Sequence, residues 1–238
     1  MAEIRFEDVT CVYAGARDAA VSHLDLTVND GELLALCGAS GSGKSTVLRL
    51  AAGLVPVNQG RVRVGPYELS DPAAEPMVLV FQNYALQPNL TVAQNISLPL
   101  AQERVGKRAI AERTEEAASM VGLTGVLRRR GSTLTTSGRI RVAFARALVR
   151  SPGALLLDEP LANLQPEIRD EVAELLVSAQ RERAITTIYA TDDAAEALAI
   201  GDRVALLEGG VLRELVVPRD LDAQTTGQRA APAEQWAV

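Results

Sequence analysis

The chain has 238 residues, of which 47% are hydrophobic, and 30 acidic against 24 basic side chains give it a net charge of -6. This length and apolar content allow a sizeable buried core, so we expect a folded globular protein. The negative charge argues against general affinity for nucleic acid or anionic lipid, because a polyanion needs a basic surface. Because no apolar run approaches the roughly 18 residues of a membrane span and the amino terminus lacks the order of a signal peptide, we expect a cytosolic chain.

The first third of the chain is rich in strand patterns. Strands are predicted from alternating or compact apolar runs at residues 4–10, 23–28, 32–37 and, as a further short pair, 61–64 and 77–81. A helix is predicted over residues 44–54, because its apolar residues follow helical spacing and Gly53 lies near its end. The chain therefore places a glycine-rich loop between a buried strand and a helix.

The rest of the chain changes from helical to alternating patterns. Residues 91–149 show helical spacing among charged residues, which predicts an inserted helical subdomain. Strands follow at 154–158, 184–190 and 203–208, and the helical stretch between the first two is typical of a parallel βαβ unit. The polar residues at 221–238 have no period and are predicted to be a mobile tail.

The glycine-rich loop carries the clearest chemical signal. Gly38, Gly43, Lys44 and Ser45 fit the pattern G-x-x-x-x-G-K-[ST] without a gap. Glycines let backbone N–H groups turn around phosphates, the following helix start adds positive charge, and the lysine and serine serve the outer phosphates and Mg²⁺. The alternative is a loop that only turns the chain, but a strand, a helix, a lysine and a serine in register favour a site for Mg-ATP.

A second acidic motif ends the strand ALLLD. Asp158 and Glu159 lie at its carboxyl end, where open α/β sheets present ligands. Asp158 is expected to hold Mg²⁺ through water, and Glu159 to act as general base on an attacking water. The alternative is a helix start with acidic residues that favour the dipole, and the phosphate loop elsewhere in the chain makes the catalytic interpretation the stronger one.

Three further segments join these two motifs. Tyr13 is an aromatic residue near the first strand, Gln82 lies in VFQNYALQPNLTV, and RIRVAFARALVRSP spans residues 139–152. With the phosphate loop and LLLDEP, they resemble the ATP-binding subunit of ABC transporters over about residues 4–215. The resemblance implies that Tyr13 stacks on adenine and that Gln82 links the Mg²⁺ site to a transmembrane partner.

The resemblance implies a fold and a set of site residues. The fold is α/β, a phosphate-loop NTPase core with a mainly parallel sheet, an antiparallel β subdomain and an inserted helical subdomain, forming one domain over residues 1–220. The catalytic residues would be Glu159, Lys44 and Gln82, and the magnesium ligands Ser45, Gln82 and Asp158. The nucleotide contacts would be Tyr13, Gly38, Ala39, Ser40, Gly41, Ser42, Gly43, Lys44, Ser45, Thr46, Gln82 and Asp158.

The chain departs from the family pattern at positions that face the γ-phosphate or the second subunit. The signature, usually LSGGQ, reads Leu134 to Gly138 as LTTSG, so side chains replace glycines that permit close approach. Asp192 stands where the family has histidine, and an ionised carboxylate there would repel phosphate. Ala162 and Gln165 replace the serine and aspartate of the family's SALD segment. These changes predict intact ATP binding and slower hydrolysis.

The functional prediction follows from the resemblance and the departures together. We expect a peripheral ATPase subunit on the cytoplasmic side of the membrane, which binds ATP and Mg²⁺ and powers or gates a separate transmembrane permease. Asp192 lies on the face that binds the chain's own ATP, and Leu134 to Gly138 lie on the face that contacts the ATP of a partner subunit. Because each face carries one defect, a heterodimer with a second ATPase subunit is favoured over a homodimer. The short length and LPL at residues 98–100 favour the lipoprotein-release, macrolide-efflux and cell-division branch over the sugar-import branch. The alternative is a nucleotide-dependent regulatory subunit with negligible ATPase activity.

Overall fold

The computed structural model of the chain describes residues 2–81, 84–102 and 105–218. Ten strands lie within these ranges: β1 (Ile4–Cys11), β2 (Val21–Val28), β3 (Leu33–Cys37), β4 (Gln59–Val64), β5 (Tyr67–Glu68), β6 (Met77–Val80), β7 (Ala154–Asp158), β8 (Thr186–Thr191), β9 (Arg203–Glu208) and β10 (Val211–Val216). Six α-helices accompany them in the same ranges: α1 (Lys44–Ala51), α2 (Val92–Ser97), α3 (Lys107–Met120), α4 (Thr136–Leu148), α5 (Pro166–Arg183) and α6 (Ala194–Ile200).

The strands form two sheets. Four strands make an antiparallel sheet in the order β2-β1-β4-β5, and six make the order β10-β9-β3-β8-β7-β6. In the larger sheet β3 runs parallel to β8 and β9, and β7 runs parallel to β8. The predicted α/β fold, with a mainly parallel sheet and an antiparallel part, is confirmed. The predicted pairing of residues 61–64 with 77–81 is wrong, because β4 pairs with β1 and β5 while β6 belongs to the larger sheet.

The central strand β3 explains where the core lies. All five of its residues are buried, as expected for a parallel strand covered on both faces. Leu34 and Leu36 join a cluster formed by α1 and both sheets, whereas Ala35 and Cys37 join a smaller cluster with α6. This alternation follows the two-residue period of a strand. Burial on both sides holds the carboxyl end of β3, and hence the start of the glycine-rich loop, in place.

The described residues divide into two compact units. The first contains residues up to 79, 153–159 and from 184 onward, and the second contains 80–152 and 160–183. In the second unit α4 packs against α2, α3 and α5. The extent of the predicted domain and of its helical insertion stays a prediction, and the predicted tail at 221–238 lies outside the described residues. No helix in the described ranges has both the length and the apolar composition needed to cross a membrane.

Three local features differ from the sequence expectation. The helix predicted to reach residue 54 ends at Ala51, and Gly53 follows in the left-handed region with φ +68°. Strand β10 was not predicted, although Gly209 and Gly210, both with positive φ, link two apolar runs as a tight hairpin turn does. Helix α6 was also not predicted, although the Asp193 side chain accepts hydrogen bonds from two backbone N–H groups at its start.

Candidate nucleotide site

The glycine-rich loop connects the buried end of β3 to α1, and two of its glycines are sterically required. A Cβ on Gly43, whose φ is +106°, would lie 2.5 Å from the carbonyl oxygen of Ala20. A Cβ on Gly38 would collide with the carbonyl oxygen of Leu207. Both obstacles are backbone atoms, which cannot rotate away as a side chain can. The surrounding backbone therefore fixes the path of the loop.

The start of α1 is open to an anion. Its N-cap is Gly43, which has no side chain to cap it, and its first turn has no acidic residue. Helix starts carry unpaired N–H donors and a partial positive charge, which side-chain oxygens usually satisfy. Since a glycine at the N-cap has no side-chain oxygen to do so, these donors are open to a ligand such as phosphate. The residues present therefore fit the triphosphate that the sequence predicts.

Lys44 is buried against the loop and the acidic strand end. Only 3% of its side chain is exposed, and its Nζ donates to the carbonyl oxygens of Gly38 at 2.7 Å and Ala39 at 3.1 Å. The same nitrogen lies 3.3 Å from Oε1 of Glu159. An ammonium so enclosed is held by three oxygen partners, which offset the loss of its hydration. The structure thus brings together two of the three predicted catalytic residues.

Ser45 and Asp158 form the predicted metal-binding pair. The Ser45 Oγ donates to Oδ1 of Asp158 at 2.9 Å, although 113 residues separate them in the chain. Asp158 is buried at the carboxyl end of β7. A hydroxyl and one carboxylate suit Mg²⁺, which keeps several waters and takes other ligands from phosphate. The third predicted ligand, Gln82, lies outside the described residues.

Glu159 has an unusual backbone conformation. Its φ is +46°, in the left-handed region that residues other than glycine rarely adopt. Its N–H donates to the carbonyl oxygen of Ala190 in β8 at 3.0 Å, which helps to hold this conformation. Such outliers cost about 1–3 kcal/mol and are concentrated at functional sites. This conformation occurs at the position at which the sequence predicts the general base, and also at six other described residues that are not glycine.

Tyr13 lies beside the loop, as its predicted contact with nucleotide requires. Its ring is 38% exposed, and its hydroxyl lies 3.2 Å from Oγ1 of Thr46. A partly exposed aromatic side chain can stack on another ring in an offset arrangement. This contact joins both predicted nucleotide residues within one unit of the structure.

The β9–β10 turn adds residues that the sequence prediction missed. A pocket of about 450 Å³ is lined by the loop residues Gly38 to Ser42 and by the β9–β10 hairpin, including Glu208 and Arg213. The N–H of Gly210 donates to the carbonyl oxygen of Ser42 at 2.9 Å, so the turn supports the loop from outside. In the sequence, the Gly209-Gly210 pair is a signal for this hairpin turn. It does not predict the contact between the turn and the glycine-rich loop.

Two of the positions that depart from the family pattern, Thr135 and Asp192, lie at the ends of regular elements. Thr135 caps α4, where its side chain accepts from the N–H of Gly138 at 3.2 Å. A hydroxyl that accepts one bond still has a proton to donate, so this cap leaves Thr135 able to contact a ligand. In the other unit, Thr191 is in register with Cys37 at the end of β3, so the exposed Asp192 follows β8 beside the strand that begins the loop.

The strand, open helix start, buried lysine and acidic strand end together define a phosphate-loop nucleotide-binding protein. The profile of the family described as ABC transporter matches residues 21–162, so the chain belongs to the ABC transporter family. The predicted resemblance is confirmed.

Several curated relatives resemble nearly the whole chain. The diacetylchitobiose uptake system ATP-binding protein MsiK of Streptomyces coelicolor is 43% identical over 93% of this chain and 59% of its own length. The trehalose import ATP-binding protein SugC of Mycobacterium tuberculosis is 40% identical over 93% and 56%. The trehalose/maltose import ATP-binding protein MalK of Thermococcus litoralis is 39% identical over 93% and 61%. The chain thus spans about three fifths of the length of these relatives.

Solved structures also match the fold. The ATP-binding cassette MJ0796, in a dimeric post-hydrolysis state bound to ADP and Pi, has a TM-score of 0.79 and 26% identity, over 91% of this chain and 99% of that one. The cbiO1 protein of Clostridium perfringens, part of the ABC transporter complex cbiONQ, has a TM-score of 0.85 and 26% identity, over 93% and 91%. The family match and the ADP-bound neighbour support a nucleotide site in this chain.

Two sequence predictions are corrected by these comparisons. The preference for a heterodimer is wrong: MJ0796 is a dimer of one cassette, and the names of the relatives mention no second ATPase subunit. The inference failed because lesions on two faces do not require two different chains. The preference for an efflux-type branch is also wrong, since the relatives named above belong to sugar import systems.

Proposed function

We propose that the chain is the ATP-binding subunit of an ABC transporter that imports a sugar. It would bind Mg-ATP and power a separate transmembrane permease from the cytoplasmic side of the membrane. The names of the relatives support the substrate class and the direction of transport. The observation that carries the proposal is the open start of α1 beside the Ser45–Asp158 pair, which provides anion and metal ligands together.

Each residue of the site has a role that its chemistry allows. The loop amides and the start of α1 would hold the phosphates, with Lys44 moving from the loop carbonyls to the outer phosphates. Ser45, Asp158 and Gln82 would hold Mg²⁺, and Tyr13 would stack on the base. When bound, ATP supplies the phosphoanhydride bond whose hydrolysis drives transport. Glu159 would accept a proton from the attacking water.

We propose further that hydrolysis is slow. Asp192 is exposed beside the loop strand, where a carboxylate replaces the histidine of the family and repels negative charge. Thr136 and Ser137 place side chains in the signature segment at the start of α4. Losing one preorganised donor to a developing phosphate charge costs about 3 kcal/mol, or roughly a hundredfold in rate. In a dimer of two identical copies, both composite sites would carry both changes.

The same departures from the family pattern also favour a second candidate function, that of a nucleotide-dependent regulatory subunit with negligible turnover. The two candidates differ in whether Glu159 acts on water. A steady-state assay of ATP hydrolysis on the purified full chain, with Glu159→Gln as the test variant, separates them. Glu174→Gln, which makes the same change at an exposed position on α5, is the matched control.

An ATPase predicts measurable turnover in the wild type and in Glu174→Gln, and a loss of at least about a hundredfold in Glu159→Gln, because the general base is removed. A low wild-type rate that Glu159→Gln leaves unchanged would support the regulatory subunit instead. Thermal unfolding of all three proteins controls for folding.

A further inference from the structure

A strained turn lies two residues beyond the predicted metal ligand Gln82. Tyr84 and Ala85 have φ values of +58° and +42°, so two successive residues other than glycine are left-handed. Each such residue is unfavourable on its own, and a pair persists only when the surroundings hold it. The turn therefore needs a partner that fixes its backbone.

That partner is Arg146 on α4. Its Nη1 donates to the carbonyl oxygen of Ala85 at 2.7 Å, and its Nη2 donates to that of Tyr84 at 2.6 Å. Burial lowers the pKa of the Arg146 guanidinium, yet the ordinary value is so high that the group stays charged. Two short charge-assisted bonds from one planar group thus fix two successive carbonyls.

The Tyr84 side chain connects this fixed turn to another segment of the same unit. The ring is 7% exposed, and its hydroxyl donates to the carbonyl oxygen of Pro160 at 3.2 Å. Burial raises the pKa of Tyr84, whereas a hydrogen bond with the Asn163 side chain opposes this shift, so the hydroxyl stays protonated and able to donate. These contacts are connected in one series, which we call the Tyr84–Arg146 strut; its residues are Arg146, Tyr84, Pro160 and Asn163.

Pro160 is the residue that follows Glu159 directly. A proline has no N–H and a fixed φ, so its carbonyl is the one backbone polar group through which this position can be held. Glu159 itself is left-handed at φ +46°, and the orientation of its carboxylate depends on the backbone on either side. The strut holds the backbone on the carboxyl side of Glu159 through the hydrogen bond to the Pro160 carbonyl oxygen.

We propose that Tyr84 and Arg146 are positioning residues for ATP hydrolysis, which hold the turn from Pro160 to Asn163 so that the Glu159 carboxylate keeps a productive orientation. This role rests on the proposed ATPase function. Removing the Tyr84 hydroxyl breaks the bond to Pro160 but leaves the Arg146 bonds that hold the turn beyond Gln82, so turnover should change while nucleotide affinity does not. A residue with a purely structural role would instead alter stability and affinity together.

The test compares Tyr84→Phe with Tyr189→Phe in the full chain. Both changes remove only the hydroxyl of a buried tyrosine, and that of Tyr189 hydrogen-bonds to Glu196 on α6, which is not a residue of the strut. Three quantities are measured: kcat for ATP, the Kd for ATP, and hydrogen–deuterium exchange of the peptide covering residues 161–165. For Tyr84→Phe we expect exchange to rise and kcat to fall by about two- to tenfold, the effect of one hydrogen bond, with Kd unchanged.

The outcomes separate this role from the proposed function. Unchanged exchange or unchanged kcat in Tyr84→Phe, with normal wild-type turnover, overturns the positioning role alone. An equal fall of kcat in Tyr189→Phe, or a parallel loss of ATP affinity, overturns it as well. A wild-type chain without turnover overturns the ATPase function and the positioning role together. If Tyr84→Phe does not fold, Arg146→Lys takes its place with the same expectations for exchange and kcat, because one ammonium cannot hold both carbonyls as the guanidinium does.

Discussion

Replacing Gly43 by alanine tests whether the surrounding backbone fixes the phosphate loop. At φ +106° an alanine is strained by about 1–2 kcal/mol, the cost of left-handed backbone for a residue with a Cβ. The new Cβ would also lie 2.5 Å from the Ala20 carbonyl oxygen and 3.2 Å from Cδ2 of Leu207. Overpacking of this kind adds about 1–3 kcal/mol, so we expect a total destabilisation of about 2–5 kcal/mol.

The same clash should weaken nucleotide binding. If the loop moves and one N–H no longer reaches the phosphates, a bond to a charged group worth about 1.5–3 kcal/mol is lost. ATP affinity should then fall by roughly ten- to a hundredfold. Gly65→Ala is the matched control, because its φ is +57° and its Cβ would meet only Ala2 Cβ at an ordinary 3.8 Å.

Urea denaturation and an ATP titration are measured on both variants. We expect the control to lose only the strain energy and to bind ATP normally. Wild-type ATP affinity in Gly43→Ala, or an equal loss of affinity in Gly65→Ala, would refute the argument that contacts outside the loop fix its geometry.

Two further predictions concern the metal pair and the thiols. Ser45→Ala removes the hydroxyl that bonds to Asp158, so ATP affinity measured with Mg²⁺ should fall about tenfold while affinity in a chelator stays the same; equal losses would contradict a metal role. Burial raises the pKa of both Cys11 and Cys37, which lowers the thiolate fraction of the folded chain at any pH below these values. At pH 8 a thiol reagent should therefore modify the native chain far more slowly than the urea-unfolded chain, and equal rates would show that the thiols are exposed.

The features that the sequence predicted well depend on local patterns. Apolar β3, the glycine loop and the start of α1 are consecutive in the chain, so their order and spacing already define a phosphate-binding loop. Asp158 and Glu159 follow a buried apolar strand, and strands of a parallel sheet present their carboxyl ends at one edge. Ser45 and Asp158 could therefore be assigned to one site before their contact was known.

The features that were missed depend on contacts between distant segments. The contact of Gly210 with Ser42 joins a turn to a loop more than 160 positions earlier, and no local pattern reports it. In the sequence, Tyr84 is an aromatic residue outside the predicted elements, and Arg146 is a basic residue in the predicted helical subdomain. Their proposed roles depend on a left-handed turn at Tyr84 and Ala85, a conformation that neither tyrosine nor alanine favours.

The wrong choice of a heterodimer has a similar origin. It followed from Asp192 and the Leu134–Gly138 segment, which lie at the ends of different elements and in different units. A sequence shows that such positions have changed but not which chain completes each site. Two copies of the chain can bring the same two changes together at each site, so the departures bear on rate and not on partner identity.

The most direct test of the central claim, that this chain binds Mg-ATP and cleaves it with Glu159, is the nucleotide content of Glu159→Gln. The wild type and the variant are incubated with Mg-ATP, passed through a desalting column, and the bound nucleotide is identified by chromatography. The account predicts that Glu159→Gln retains intact ATP, whereas the wild type retains ADP or releases the nucleotide. A variant that retains no nucleotide, or one that retains only ADP as the wild type does, would contradict it.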